Sequence, residues 1–383
     1  MTAEEQLVRE RLEKLLATYD PRSTEPAVFW GAQFDHGLAW VRFPEGCGGL
    51  SVSPALQVVV DETLRDAGAP TNYYRNPLGV GMAAPTIVAY GTPEQQARWL
   101  RPAFTCEEIW CQLFSEPGAG SDLAALSCRA VRSGDSWLVN GQKTWTTLAH
   151  RARWGLLLAR TGPSAPKHKG ITYFVLDMTD PGVEVRPIRQ MTGEAEFNEV
   201  FLTDVRIPDS HRLGPASEGW RVAITTLMTE RVSIGGAVVP RGGGPIGEAV
   251  RIWRERGDKD PALLDQLMRL WVEAETTRLT NLRAEQRRRA GIPGPEGSTA
   301  KLTFAELNQR IYDFCLVLLG PDGMLHPGYV MALPEEAGWN EREVHKAFLR
   351  SRGNSIEGGT SEILRNVLAE RVLGLPPDPR SDH

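Results

Sequence analysis

The first part of the chain repeats apolar positions with the period of an α-helix. Apolar residues recur three and four positions apart over residues 8–19 and 56–64, and Pro93 opens a further stretch of this kind. Such spacing places the apolar side chains on one face of a helix, where they can pack against a core. Residues 1–110 are therefore predicted to form an N-terminal α-helical domain.

The pattern changes to short β-prone runs between residue 111 and about residue 208. The runs are SCRAV, SWLVN, KTWTT, WGLLLAR, ITYFVLD, VEVRPI and NEVFL. Ser133-Gly134-Asp135 and Asn140-Gly141 are turn signals between them. This spacing is typical of a small antiparallel β-barrel or sandwich, predicted here for residues 111–214.

A helical period returns after Gly219. Asp260 and Pro261 form an N-cap and first-turn pair ahead of a long helix, and further helices are predicted over residues 298–319 and 360–373. The apolar stripe of the long helix comprises Leu264, Leu267, Met268, Trp271, Leu279 and Leu282. Residues 215–383 are therefore predicted to form a C-terminal helical domain, which makes the chain an α+β multidomain protein.

Composition excludes several classes of function. The 383 residues carry 43 Lys and Arg against 48 Asp and Glu, a net charge of −5, so we expect no nucleic-acid partner. The first 20 residues lack a signal-peptide pattern and no 18-residue apolar run occurs, so a cytoplasmic protein with no membrane partner is expected. The five cysteines share no CxxC spacing and the seven histidines are scattered, so no metal site is expected.

One glycine run satisfies a nucleotide-binding pattern by its letters alone. GGGPIG, residues 242–247, fits GxGxxG, but glycine and proline precede it where a strand should stand. A loop between helices is the better interpretation.

Two other motifs are more informative. CQLFSEPGAGSDLAAL, residues 111–126, reads as a strand that ends in a glycine turn whose backbone N–H groups favour an electron-rich partner. In NGQKTWTT, residues 140–147, a bulky aromatic side chain is followed by hydroxyls on one strand and can cover the edge of a planar cofactor. Each signal is weak alone, since a glycine turn is more often only a turn and a strand Trp more often belongs to a core.

Together the motifs resemble those of the acyl-CoA dehydrogenase family. FSEPGAGSD resembles its first signature, GQKTWTT its flavin-covering strand, VRIPDSHRLGPASEGW its exit from the β domain, and GGTSEILRNVLAERVLG its carboxyl-terminal signature. The resemblance covers nearly the whole chain. It implies a helical domain, a β domain and a C-terminal four-helix bundle, with FAD and an acyl-CoA thioester bound among them.

The resemblance also implies the roles of particular residues. The residues expected to contact FAD are Phe114, Ser115, Trp145, Thr147, Thr360 and Glu362. Thr360 and Glu362 would act at a helix N-terminus, which favours the cofactor's phosphates. Ser121 is expected near the CoA arm, and Arg231 is expected to help bind substrate.

The resemblance implies a catalytic base displaced from its usual position. Most family members have YEGT before the last helix, but here Gly358 stands at the acid's position and Glu357 one residue earlier. Neighbouring side chains of an extended segment point to opposite sides, so Glu357 is expected to be a bystander. A branch typified by isovaleryl-CoA dehydrogenase instead carries its base in a Glu-Arg pair on an earlier helix, which resembles Glu230 and Arg231.

This assignment gives both residues a chemical role. Glu230 is predicted to take the proton α to the thioester carbonyl, with a solvated helix residue as the competing interpretation. Partial burial would raise its pKa. The Gly358 N–H is predicted to stabilise the developing enolate.

Some family contacts are missing. Met228 stands where that branch has Asp, Val317 stands where a Gln reaches the neighbouring subunit's FAD, and no Arg-x-x-Phe-Gly motif follows the Glu230 helix. Two explanations stay open. A second acyl-CoA dehydrogenase subunit completes a heteromer, as in actinobacterial dehydrogenases of steroid side chains, or a homo-oligomer uses other residues such as Arg241 or Arg251.

The resemblance implies FAD-dependent formation of a trans-2-enoyl-CoA, with electrons passed to an electron-transfer flavoprotein or similar acceptor. The alternatives are an oxygen-using flavin oxidase and a non-catalytic or half-site subunit of a heteromeric dimer or tetramer. The acyl group, whether straight, branched, ring-bearing or steroid-derived, stays open.

Overall fold

The computed structural model describes most of the chain as two compact units. The described residues are 2–233, 238–257, 259–289, 296–326, 328, 330–335 and 343–377. Unit 1 takes the described residues of 1–189, 195–229 and 332–339, and unit 2 takes those of 190–194, 230–331 and 340–383. The predicted N-terminal and β domains thus fall in one unit, and the three domain boundaries stay a prediction.

Helices fill the first hundred residues of unit 1, as their apolar period predicts. They are α1 (Ala3–Thr18), α2 (Pro26–Asp35), α3 (Gln57–Ala67), α4 (Ala84–Tyr90) and α5 (Pro93–Phe104). Thr2 caps α1 by accepting from the Glu5 N–H at 3.2 Å. Thr92 and Gln95 form a reciprocal capping box at the start of α5.

The β domain is one eight-stranded sheet. Its strands are β1 (Trp110–Leu113), β2 (Arg129–Ser133), β3 (Ser136–Thr147), β4 (Trp154–Arg160), β5 (Ile171–Asp177), β6 (Val183–Pro187), β7 (Phe197–Pro208) and β8 (Arg212–Leu213). They lie in the order β6-β7-β3-β2-β4-β5-β8, with β1 beside β4. Most pairs are antiparallel, as predicted, but β4 pairs in parallel with β1 and with the start of β2.

One of the two predicted turns is wrong. Gly134, at a φ of +65°, turns the β2–β3 hairpin as expected. Asn140 and Gly141 instead lie inside β3, where the register against β7 shifts. Asn140 exchanges two hydrogen bonds with Asp204 of β7, and a Cβ on Gly141 would lie 2.8 Å from Cys128 Cα. The Asn-Gly pair therefore forms a β-bulge, not a hairpin turn.

Both faces of the sheet are buried at β4 and β5. Leu156 and Leu158 of β4 pack with the N-terminal helices, whereas Leu157 and Ala159 pack in a second core with the other strands. The alternation follows from the two-residue period of a strand. It explains why β4 reads as a continuous apolar run.

Helices return after the sheet. They are α6 (Gly219–Ser233), α7 (Pro245–Glu255), α8 (Pro261–Arg289), α9 (Glu296–Leu319), α10 (Val344–Ser351) and α11 (Ser361–Arg371). In the predicted stripe of α8, Leu267 is buried with α7 and α9, but Leu264, Met268 and Leu279 are exposed. Within the described residues, no helix is both long and apolar enough to cross a membrane.

Candidate active site

A buried ion pair anchors the glycine-rich turn that follows β1. Glu116 Oε1 and Lys143 Nζ are 2.8 Å apart, and both side chains are buried. Lys143 Nζ also donates to the Phe114 carbonyl at 3.0 Å. One ammonium group therefore fixes residues 114–116 against β3, with two charge-assisted hydrogen bonds.

The Glu116 carboxylate is fully engaged. Its Oε2 accepts from the N–H and hydroxyl of Ser127 at 2.7 and 2.8 Å, and its Oε1 accepts from the Cys128 N–H at 2.9 Å. Burial raises the pKa of Glu116, but the charge of Lys143 and these hydrogen bonds outweigh it and lower the pKa below its usual value. Glu116 is thus an anchor for the turn. This role was not predicted, although Glu116 and Lys143 both stand in the motifs FSEPGAGSD and GQKTWTT.

Trp145 stands out from β3 in an unusual backbone conformation. Its φ is +59°, the register against β7 shifts between Lys143 and Thr146, and its side chain is 59% exposed. Its one described ring contact is an edge-to-face approach to Phe197, with ring centroids 5.9 Å apart. A positive φ costs a non-glycine residue about 1–2 kcal/mol. Such strain clusters at functional sites, where a side chain must be presented outward.

A polar network supports the next residue of the strand. Asn198 Nδ2 donates to the Thr146 carbonyl at 3.0 Å and lies 3.3 Å from Nδ1 of His150, whose Nε2 is 3.1 Å from the Pro334 carbonyl. Since Asn198 Nδ2 can only donate, His150 carries its proton on Nε2. The buried Thr146 Oγ1 has no hydrogen-bond partner among the described residues. A hydroxyl left unpaired beside an exposed aromatic ring, with half-buried Thr147 next to it, fits a polar ligand group at this edge.

The predicted substrate contact lies at the far end of the glycine turn. Gly118 and Gly120 have nothing within 4 Å of a Cβ position, and Ser121 is exposed. Asp122 is 2.6 Å from Lys167 Nζ in an exposed pair. The far end of the turn is thus exposed to solvent, while Glu116 anchors the near end.

The carboxylate of Glu357 in unit 2 is held by its own neighbours. Arg350 donates to its two oxygens at 3.1 and 2.8 Å, and Asn354 Nδ2 donates to Oε1 at 2.7 Å. Burial raises the pKa of Glu357. The charge of Arg350 and the hydrogen bonds from Arg350 and Asn354 lower it by more, so the pKa lies below its usual value. A low-pKa carboxylate in an ion pair is a weak proton acceptor.

The turn that follows is built from two glycines in left-handed conformations. Gly358 has a φ of +62° and Gly359 a φ of +93°, a region that side chains rarely adopt. The fully buried Lys301 of α9 donates to the Gly359 carbonyl at 2.6 Å. Lys301 therefore positions this turn, and no short motif revealed it.

The predicted phosphate contacts begin α11. Thr360 Oγ1 caps the helix by accepting from the Ile363 N–H at 3.2 Å. Ser361 Oγ is buried and has no hydrogen-bond partner among the described residues. The Glu362 side chain is 79% exposed and 3.7 Å from Arg365. The first turn thus offers N–H groups and an unpaired hydroxyl, as an anion site needs.

The predicted base lies at the end of α6. Glu230 and Arg231 belong to that helix, but their side chains lie outside the described part of the structure. Met228, two residues earlier, is 58% exposed.

Two positions bear on the expected contacts with a neighbouring subunit's FAD, Arg251 and Val317. Arg251 is tied to Glu248 and Glu255 on its own helix, which raises its pKa. Val317 is 55% exposed.

No strand precedes GGGPIG over the described residues 238–241, and Pro245 begins α7, so the loop interpretation is confirmed.

Sequence models of one family match three consecutive parts of the chain. They are the acyl-CoA dehydrogenase N-terminal domain at residues 2–107, the middle domain at 111–205 and the C-terminal domain at 217–373.

Individual relatives agree with this result. Acyl-CoA dehydrogenase FadE34 of Mycobacterium tuberculosis is 43% identical over 344 residues, 89% of this chain and 45% of that protein, so this chain spans about half of its length. Acyl-CoA dehydrogenase IpdE1 of the same organism is 37% identical over 347 residues, 90% of this chain and 86% of IpdE1. One chain in the crystal structure of the ChsE4-ChsE5 complex from M. tuberculosis is 28% identical, with a TM-score of 0.72. The match covers 98% of this chain and 98% of that chain.

Helices, then a mainly antiparallel sheet, then helices follow the order of the three matched family domains. The chain belongs to the acyl-CoA dehydrogenase family. The predicted family and fold class are therefore confirmed, and the family is one of FAD-dependent enzymes that act on CH–CH bonds. Within unit 1, the unpaired Thr146 hydroxyl and the outward Trp145 fit such a cofactor.

Proposed function

We propose that the chain catalyses α,β-dehydrogenation of an acyl-CoA thioester to a trans-2-enoyl-CoA. The observation that carries this proposal is Trp145, held at a positive φ and exposed beside Thr147 on a strand that the Glu116–Lys143 pair anchors. A costly conformation with few neighbours is explained if the ring covers a planar cofactor. FAD, when bound, accepts the hydride from the acyl β carbon.

The residues proposed to contact this cofactor are those that match the family motifs. Phe114 and Ser115 face its ring edge through the anchored turn, and Thr147 donates a hydrogen bond beside Trp145. Thr360 and Glu362 serve its phosphate and ribityl region, where the N–H groups of the first turn of α11 favour an anion. Ser121 lies near the CoA arm.

Glu230 is the proposed base. It removes the α proton of the thioester while the hydride leaves the β carbon, and Arg231 helps to hold the substrate. The Gly358 N–H donates to the thioester oxygen as negative charge develops there. The ion pair of Glu357 with Arg350 supports this assignment, because the acid nearest the family's usual base position is already occupied.

The reaction is tested by anaerobic titration of the flavin-loaded protein with a panel of acyl-CoAs. Bleaching of the flavin absorbance, with enoyl-CoA as product, is the expected result. Electrons then pass to an electron-transfer flavoprotein or similar acceptor. Hydrogen peroxide formation in air at the rate of substrate consumption would favour an oxidase instead.

A half-site subunit of a heteromer is the second candidate. Val317 offers no polar group at a position where the family reaches into its neighbour, and Arg251 is committed to two acids of its own helix. A relative of known structure is a complex of two different chains, ChsE4 and ChsE5. Purification of this chain alone tests the idea, since full FAD occupancy without a partner would remove the argument for a heteromer.

A further inference from the structure

Unit 2 contains a cavity that none of the roles above uses. It has a volume of about 190 Å³ and lies among α7, α8 and α9. Most of its wall is apolar and is formed by Ile246, Trp271, Ala274, Phe304, Leu307 and Ile311. An apolar cavity of about 150 Å³ accommodates a benzene-sized molecule, so this cavity has room for one ring.

The loop before α7 explains why the space exists. Gly242, at a φ of +72°, passes so close to Trp271 that a Cβ would lie 2.6 Å from the indole ring. Gly243 and Pro240 line the same edge of the cavity. Backbone rather than side chains therefore covers this edge, and the volume that side chains would fill stays open.

One polar side chain of the wall, Asn308, carries a buried atom that lacks a partner. Asn308 is 8% exposed, its Nδ2 donates to Asn354 Oδ1 at 2.6 Å, and its Oδ1 has no hydrogen-bond partner among the described residues. An unpaired buried acceptor costs about 1–3 kcal/mol, which a donor from a ligand would recover.

The orientation of this amide follows from Glu357. A carboxylate ionised beside Arg350 can only accept, so Asn354 must turn its Nδ2 toward Glu357 and its Oδ1 toward Asn308. Asn308 must then donate to Asn354. The oxygen of Asn308 is thereby left as the group that can serve the cavity.

The charged residues in the wall favour a neutral ligand. Arg278 and Glu275 both line the cavity, but they pair with each other at 2.7 Å. Their opposite charges largely cancel at the distance of a ligand.

We propose that this cavity binds a compact apolar group, about the size of one ring, that carries a single hydroxyl or N–H donor for Asn308 Oδ1. The group is either a separate small molecule or the far end of an acyl chain. The proposal concerns unit 2 alone and does not depend on the proposed dehydrogenation.

Cyclohexanol and cyclohexanone provide the test, because they match in size and only the alcohol has a donor. Ligand-observed NMR titration of the flavin-loaded protein should give about fivefold tighter binding of the alcohol, the value of one hydrogen bond. Equal affinity for the two molecules, or binding of neither, would overturn the proposal. This comparison needs no altered protein.

A matched pair of variants locates the site. Ala274→Phe fills the cavity from α8 and should abolish cyclohexanol binding, whereas Val272→Phe adds similar bulk at a position that is 60% exposed and should not. Unchanged binding by Ala274→Phe would contradict the proposal. Repeating the wild-type titration with octanoyl-CoA identifies the source: competition indicates the acyl chain, and undisturbed cyclohexanol binding indicates a separate ligand.

Discussion

Arg350 and Glu357 form a two-bond ion pair, with 2.8 Å between Arg350 Nη2 and Glu357 Oε2 and 3.1 Å between Nη1 and Oε1. Asn354 adds a third hydrogen bond to the same carboxylate. Glu357 therefore holds the segment that leads into Gly358 in place. The one acid beside the family's usual base position has a structural role.

Replacing Glu357 with Gln should destabilise the protein without removing the proposed chemistry. The change removes the carboxylate charge that faces the partly buried Arg350, and we expect a loss of about 1–3 kcal/mol in the free energy of unfolding. Urea denaturation measures this loss. Glu370→Gln, at an exposed position of α11, is the control and should stay within about 0.5 kcal/mol of wild type. Loss of turnover in folded Glu357→Gln protein would mean that Glu357 acts in the reaction, either directly or by positioning Gly358.

The same carboxyl should contribute to acid sensitivity. Its pKa is lower in the folded than in the unfolded chain, so its stabilisation is present above about pH 4.5 and is lost as the pH falls through the folded pKa. The stability difference between wild type and Glu357→Gln should therefore shrink between about pH 6 and pH 3.5. A difference that stays constant over this range would contradict the lowered pKa.

Lys143→Met should disrupt the turn after β1. Methionine keeps the length of the side chain but leaves Glu116 buried without a counter-charge, which costs about 3–5 kcal/mol. We expect less flavin per protein and a lower free energy of unfolding. The double variant Glu116→Gln/Lys143→Met should recover part of that stability because it removes the buried charge. Full flavin content and wild-type stability in Lys143→Met alone would show that the pair anchors nothing.

Gly358→Ala tests the proposed role of the backbone N–H. Alanine is strained at a φ of +62° by about 1–2 kcal/mol, and the turn should shift to relieve it. We expect kcat to fall by roughly tenfold or more, while flavin content is kept. Gly374→Ala is the matched control, since Gly374 has a φ of +67° and open space around it at the end of α11. Equal kcat values for the two variants would argue against a donor role.

Elements with a simple local cause were predictable from sequence. WGLLLAR and ITYFVLD have the bounds of β4 and β5, because buried strands form continuous apolar runs between polar ends. The α8 start at Pro261 also agrees with the structure. The turn predicted at Asn140-Gly141 was wrong because an Asn-Gly pair can form a β-bulge as well as a hairpin turn. The contact that decides between them, with Asp204, is distant in sequence.

The supports of the candidate site were not predictable in this way. Lys143 reaches Glu116 across 27 positions, and Lys301 reaches Gly359 across 58. No local pattern encodes such pairs, which exist only once the strands and helices have packed. Glu357 was expected to be a bystander, and its ion pair with Arg350 was not anticipated.

The role of Glu230 as the catalytic base is tested most directly by the turnover of Glu230→Gln in flavin-loaded protein under anaerobic conditions. We expect flavin content and acyl-CoA affinity to stay near wild type while flavin bleaching slows by about a thousandfold or more, because glutamine cannot accept the α proton. Glu357→Gln, measured in parallel, should bleach at nearly the wild-type rate. Bleaching at the wild-type rate by Glu230→Gln would mean that another group takes the α proton.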